Sequence, residues 1–220
     1  MPKAWVVVYS ITDFITIGML LTVVAMNSLK RMESFLRAYT INSLLLALLM
    51  AVSAFYLDAA HLYIAAAVTL VSKGVVIPFL LKKVVRQLKI THEVEPNINT
   101  PLSLVISSIL VVVVYSSLSR GIFIEGFTEN PLKVSISIIL ISLFIMITRK
   151  KAVTQVIGLL LMENGLFLAG FSLTYGMSTI IDLGVVFDVL MGVIILGVFL
   201  SQIKKTFIDL DLDKLTTLKG

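Results

Sequence analysis

Four ionisable residues interrupt long apolar runs in this sequence: Asp13, Lys73, Glu163 and Asp188. Glu163 is the one acid in QVIGLLLMENGLFLAG, residues 155–170. A charge at the centre of a membrane-spanning helix costs about 2.5–3.5 kcal/mol. Left charged and unpaired, Lys73, Glu163 and Asp188 together would cost on the order of 8–10 kcal/mol, as much as the net stability of a typical domain. Pairing, protonation or water must offset that cost. Acids and a base held at one depth can also pass a proton sideways, because each site's proton affinity responds to the charge of its neighbours.

Depth decides whether these groups can meet. At 1.5 Å per residue, Glu163 lies roughly 17 Å from the inner end of its helix, Asp188 about 22 Å and Lys73 about 12 Å from the same side. All three fall in a band around mid-bilayer. Each also has a structural reading. Glu163 can stay protonated against a neighbouring carbonyl, Asp188 can serve as a salt-bridge partner of Lys73, and Lys73 can snorkel to the inner surface. Asp13, near the outer third, can reach the headgroups. Asp182 reads as a helix N-cap, and Asp58 and His61 as interfacial residues of an outer turn. His92, the other histidine, falls in an inner loop, so no metal-ligand set is apparent.

The elements that must position these residues are transmembrane helices. The chain of 220 residues is 58% hydrophobic, against roughly 45–50% in soluble domains. Its mean hydropathy is +1.04. Apolar runs reach about 20 residues, the helical length that crosses hydrocarbon. Hydropathy predicts an all-α polytopic membrane protein with seven spans, at 5–29, 37–57, 61–81, 101–120, 132–148, 152–175 and 180–203. The first run carries Asp13, exceeds a signal-peptide core and lacks a small-residue cleavage site, so it reads as a retained helix.

Basic residues cluster on one side of this topology: Lys30, Arg31, Arg37, Lys82, Lys83, Arg86 and Lys89, then Arg149, Lys150, Lys151, Lys204, Lys205, Lys214 and Lys219. The other side receives Lys3, Arg120 and Lys133. That asymmetry places the N-terminus outside and the C-terminus in the cytoplasm. It assigns the net charge of +5 to topology and gives no indication of nucleic-acid binding. The chain has no cysteine, which excludes disulfides and thiolate-held clusters within it.

The layout divides into an N-terminal three-helix unit (1–89), an inner loop, linker helix and outer loop (90–131), a second three-helix unit (132–205) and a polar tail (206–220). KRMESFLRAYTINSLLLALL and RKKAVTQVIGLLLMENGLFL share a basic turn, an amphipathic lead and an apolar run. KGVVIPFLLKK and MGVIILGVFLSQIKK also match in layout. The offsets of 118 to 120 residues fit a parallel repeat of helices one to three as five to seven. Gly158, Gly165 and Gly170 on helix six, with Gly184, Gly192 and Gly197 on helix seven, favour close helix packing.

RKKAVTQVIGLLLMENGLFL resembles the second helix of the NuoK-type subunit of respiratory complex I, in which a basic turn precedes Gly-Leu-Glu-x-Met-x-Asn. Gly158, Leu159, Met162 and Asn164 match. The family's acid would fall at Leu160, and this chain carries Glu163 instead, on nearly the same helix face about 4.5 Å further along. DVLMGVIIL, with Asp188 four residues before Gly192, resembles that family's last helix. In length, in Met-Glu-Asn-Gly, in the final acid and in VSKGVVIPFLLKK, the chain more closely resembles the hydrogenase-4 component E family, longer NuoK-like subunits of membrane-bound hydrogenase and formate hydrogenlyase complexes. The fourth helix and the tail carry no motif.

The resemblance implies a membrane subunit of a redox-driven proton- or sodium-translocating complex, in the inner (plasma) membrane of a prokaryote. Glu163 and Asp188 would be proton-carrying sites on a central hydrophilic axis, with Lys73 and Asp13 completing the proton-transfer set. The chain itself would hold no cofactor. Iron–sulfur clusters and a nickel–iron centre would belong to a peripheral hydrogenase arm, and antiporter-like and NuoH-like subunits would be its membrane partners. The residues themselves reveal no nucleophile–base pair, phosphate loop or metal set. An independent secondary transporter and a structural scaffold remain the rival readings.

Overall fold

The computed structural model describes residues 3–87, 98–121 and 129–174, with the isolated positions 184, 186, 192 and 197. The described segments are helical. They comprise α1 (Lys3–Met26), α2 (Met32–Leu57), α3 (Ala60–Thr69), α4 (Ile77–Gln87), α5 (Thr100–Gly121), α6 (Glu129–Thr148) and α7 (Ala152–Thr174). A π-helical segment, Leu70–Val76, joins α3 to α4 without a break. Among the described residues, five helices are long and apolar enough to cross a membrane: α2, the continuous α3–α4 rod, α5, α6 and α7. The chain is therefore a multi-pass membrane protein. The apolar part of α1, Ser10–Met26, is shorter. The predicted span 180–203 apart from the four isolated positions, the tail 206–220 and residues 90–97 and 122–128 of the predicted inner and outer loops lie outside the described residues, as does Asp182.

Helix ends depart from the hydropathy boundaries where charge and helix coexist. α2 begins at Met32, earlier than the predicted 37. Its first turns carry Glu33 and Arg37, whose exposed side chains approach to 3.9 Å one turn apart. Such a pair favours helix while lowering hydropathy. Similarly, α4 runs on to Gln87 through Lys82, Lys83 and Arg86. Asp58 closes α2 in a left-handed conformation (φ 50°) and is exposed, as expected for a turn residue.

Two antiparallel hairpins form the centre. α1 packs on α2, and α6 packs most extensively on α7, with further contacts of α1 on α6 and α2 on α7. The second hairpin is close because its glycines allow it. A Cβ at Gly165 would stand 3.1 Å from the Ser135 carbonyl oxygen and 2.9 Å from Ile139. At Gly158 it would stand 3.3 Å from the Ser142 carbonyl oxygen. The small-residue spacing thus brings two backbones together, as membrane helix pairs do where side chains are absent. The core between the hairpins includes Met19, Val23, Leu46, Met50, Ile138, Ile141, Ile157 and Leu161, all fully or almost fully buried.

At the basic end, Arg149 ties the two hairpins together. Its guanidinium is buried, donates to the Asn27 carbonyl at 3.2 Å and lies 5.8 Å from the Phe35 ring centre. Burial pulls its pKa below the ordinary arginine value. At the opposite end Lys133, predicted as a flank of its span, lies within α6 and is buried. Glu129, one turn earlier, pairs with it, and its ammonium stands 5.6 Å from the centre of the Tyr115 ring on α5.

Candidate functional site

Pro78 explains how Lys73 is presented. Proline lacks an N–H and its ring crowds the carbonyl four residues earlier, here that of Gly74. The helix accommodates this by widening just before Pro78, where the Ile77 N–H reaches back five residues to the Ser72 carbonyl. Lys73 is carried on this widened turn, and π-helical turns inside α-helices occur mostly at functional sites. Gly74 leaves room for α2, since a Cβ there would stand 3.1 Å from Leu44. The turn therefore brings Lys73 against α2 and α7. Hydropathy had no means of registering it, because a π-turn changes direction without changing apolar content.

The Lys73 side chain is fully buried, so it does not snorkel. Its Nζ lies 3.5 Å from Glu163 Oε2, and the Glu163 side chain is only 4% exposed. Nζ also donates to Asn164 Oδ1 at 3.0 Å. Asn164 in turn donates through Nδ2 to Asn42 Oδ1 and to Ser43 Oγ, each at 3.1 Å. Asn42 donates to the Met19 carbonyl at 3.0 Å and to Thr22 Oγ1 at 2.9 Å. One bonded set thus joins α1, α2, the π-turn and α7. Consecutive residues on an α-helix point about 100° apart. Glu163 and Asn164 can accordingly converge on one ammonium from different angles.

Asn42 and Glu163 both lie roughly 15–17 Å from the basic ends of their helices, near the middle of a hydrocarbon core about 30 Å thick. At that depth an ion pair is costly unless both members are well bonded. The amides supply this bonding to Lys73 and fix its geometry. They do not titrate, so the pair Lys73–Glu163 is the part of the described set that can hold or release a proton. Transfer between them converts an ion pair into two neutral groups with no change in net charge.

Of the four residues predicted for proton transfer, the structure brings two together, Lys73 and Glu163. Asp13 lies elsewhere on α1, where its Oδ2 accepts from Asn130 Nδ2 at 3.1 Å. Asp188 lies outside the described residues. Asn42, Ser43 and Thr22 were not singled out by the sequence. An asparagine inside an apolar run was the available signal, and Asn42 in TINSLLLALL carries it. Among the described residues no group of three or more His, Cys, Asp or Glu side chains is placed to hold a metal ion.

The chain is 36% identical over 149 residues to "Uncharacterized protein Rv0085" of Mycobacterium tuberculosis, covering 67% of this chain and 68% of that protein. It is 24% identical over 204 residues to "Hydrogenase-4 component E" of Escherichia coli K12, covering 92% of this chain and 94% of that one. The component E of Shigella flexneri matches to the same extent. No family model matches the chain. No solved structure matches it significantly.

Proposed function

For a chain that belongs to the same family as the Mycobacterium tuberculosis protein Rv0085, we propose the role of a membrane subunit of a hydrogenase-type redox complex that moves protons. Similarity to hydrogenase-4 component E along nearly the whole chain supports the complex. The observation that carries the proton-transfer role is the buried Lys73–Glu163 pair, bonded through Asn164 and Asn42 at mid-depth. A proton reaching Glu163 from one neighbour and leaving through Lys73 to another would cross the subunit laterally. Asp188, on the predicted last helix, is the next acid in the sequence able to take it, and Asp13 is a separate peripheral site. The seven-span topology, with its C-terminus cytoplasmic in a prokaryotic plasma membrane, belongs to the same reading. So do partner subunits holding the iron–sulfur clusters and the nickel–iron centre. Under this reading the chain has no catalytic centre of its own.

A scaffold role is the alternative favoured by one observation, the close bonding of the Lys73 ammonium to both Glu163 and Asn164. One experiment separates the two. The tagged chain is isolated in mild detergent with its partners, and the complex is reconstituted in vesicles. Glu163→Gln, nearly isosteric, is expected to leave assembly and electron transfer intact while redox-driven proton uptake falls by about 10²-fold, the lower range for loss of a proton-transferring group. Unchanged uptake, or loss of assembly, supports the scaffold.

A further inference from the structure

We infer that Ser53 and Thr69 give Lys73 a proton outlet toward the end of the molecule opposite the basic turns, through water bound between α2 and α3. The inference rests on the proton-transfer role of the Lys73–Glu163 pair and adds the direction in which the lysine releases its proton. Two hydroxyls on this side of Lys73 differ from the others. A serine or threonine inside a helix commonly donates to a carbonyl of the preceding turn. Ser72, Ser107, Ser137 and Ser172 do so, as do Thr40 and Thr148. Ser53 on α2 is buried, and its Oγ has no hydrogen-bond partner among the described residues. Thr69, the last residue of α3, is fully buried and donates across the interface to Met50 Sδ at 3.8 Å, a weak acceptor.

Packing lines these hydroxyls up with Lys73. α3 packs on α2. Met50 and Ser53 are three residues apart on α2 and share a face. The Thr69–Met50 contact fixes the antiparallel register, so Ser53 comes opposite the turn before Thr69, where Ala65 and Ala66 are buried. Lys73 follows Thr69 by four residues, and both side chains are buried. At 1.5 Å per residue, Lys73 lies about 20 Å and Thr69 about 14 Å from the start of α3, and Ser53 about 6 Å from the adjoining end of α2. The hydroxyls thus form steps from the lysine toward the Asp58 turn.

A buried hydroxyl without a protein partner is costly, and internal water is the usual means of satisfying it. The alanines opposite Ser53 leave room that larger side chains would fill. Water there can bond Ser53 Oγ and the second lone pairs of nearby helix carbonyls. A hydroxyl both accepts and donates, so it passes a proton on without retaining charge. The Lys73 N–H bond breaks with its electron pair left on nitrogen. Each hydroxyl or water then takes a proton on one side and releases its own on the other, the last to bulk water. Nothing is oxidised or reduced, and the lysine regains a proton by way of Glu163.

The test uses the complete complex in native membranes. Brief X-ray radiolysis converts water to hydroxyl radicals, which oxidise side chains beside it, methionine to the sulfoxide. Met50, which touches Thr69, and Met19 are both buried, so bound water is what would separate their rates. Mass spectrometry of the two peptides against dose is expected to show Met50 oxidised several-fold faster. Equal rates overturn the inference. In reconstituted vesicles, Ser53→Ala combined with Thr69→Val is expected to lower redox-driven proton uptake several-fold with thermal stability little changed. Ser53→Thr and Thr69→Ser, which keep a hydroxyl, are expected to retain uptake, as a merely structural role would not require. Undiminished uptake in the double variant, with Glu163→Gln defective, overturns the outlet and leaves the role of the pair standing. Undiminished uptake in Glu163→Gln removes the proton-transfer reading itself, whatever Met50 shows. If the double variant fails to assemble, the Met50 and Met19 rates in the unaltered protein decide.

Discussion

Lys73 Nζ stands closer to the neutral oxygen of Asn164, at 3.0 Å, than to the carboxylate of Glu163, at 3.5 Å. The lysine is therefore held by a group that does not titrate. When Glu163 takes up a proton, the lysine keeps its nearest acceptor. Asn164 can do this because its other end is fixed to Asn42 and Ser43 on α2.

Asn164→Leu removes that anchor at similar volume. Lys73 loses its nearest acceptor, and Asn42 Oδ1 loses the donor from α7. Leaving buried polar groups unsatisfied costs about 1–3 kcal/mol each. The variant is expected to melt at a clearly lower temperature in detergent and to lose ion uptake while Glu163 is still present. An unchanged melting temperature would show that the amide network is dispensable.

Removing one member of the ion pair exposes the other. Lys73→Met or Glu163→Leu alone is expected to destabilise the chain by about 3–5 kcal/mol, whereas the double variant recovers most of that loss because no uncompensated charge remains. Thermal unfolding of the four proteins gives the coupling directly. Ion uptake is expected to stay absent in the double variant even as stability returns. Additive losses would mean that the two groups do not depend on each other.

Gly165→Ala tests the packing of α6 on α7. The added methyl would meet a backbone oxygen, that of Ser135, at 3.1 Å, so relief requires helix displacement. Overpacking of this kind costs typically 1–3 kcal/mol. The same shift carries Asn164, the preceding residue, away from Asn42. Reduced thermal stability together with reduced uptake is expected. A fully active, fully stable variant would show that the hairpin is looser than its geometry.

Asp13 offers a contrast within the predicted proton-transfer set. Its carboxylate accepts from Asn130 and lies apart from the Lys73–Glu163 set. Asp13→Asn can keep a hydrogen bond to Asn130 through its own amide oxygen. Uptake is expected to stay within about twofold of the unaltered complex, against about 10²-fold loss for Glu163→Gln. Equal losses would make Asp13 an obligatory carrier.

The membrane class, five of the predicted spans and the presence of Glu163 and Lys73 inside them were legible because each depends on one-dimensional facts: apolar length and a charge inside it. The pairing was not. Sequence spacing placed Lys73 and Glu163 at compatible depths but left Asp188 equally available to the lysine. The contact with Glu163 is brought about by the π-turn before Pro78, by Gly74 under Leu44 and by an amide on α2, all of which act between helices, while Asp188 lies outside the described residues. Lys133 escaped for the opposite reason. A lysine at the edge of an apolar run reads as a topological flank, yet here Glu129 and the Tyr115 ring let it be buried.

Arg149 was likewise counted only as a basic flank, and its geometry predicts more. The guanidinium reaches from the α6–α7 turn to the Asn27 carbonyl of the α1–α2 turn and lies near Phe35. Gln155 donates to the Arg149 carbonyl at 3.2 Å, holding the turn from the other side. A lysine at this position would keep the charge, but not the planar surface that stacks on a ring or the fork of donors. Arg149→Lys is therefore expected to lose about 1–2 kcal/mol, most of the effect of Arg149→Met, although it retains the same contribution to the positive charge of this end. Thermal unfolding measures the loss, and modification of lysine- and acid-bearing turns by impermeant reagents measures orientation. Stability equal to that of the unaltered protein in Arg149→Lys would reduce Arg149 to a topological charge. A loss with orientation preserved identifies it as the clasp between the two hairpins that hold Asn42 and Asn164 in register.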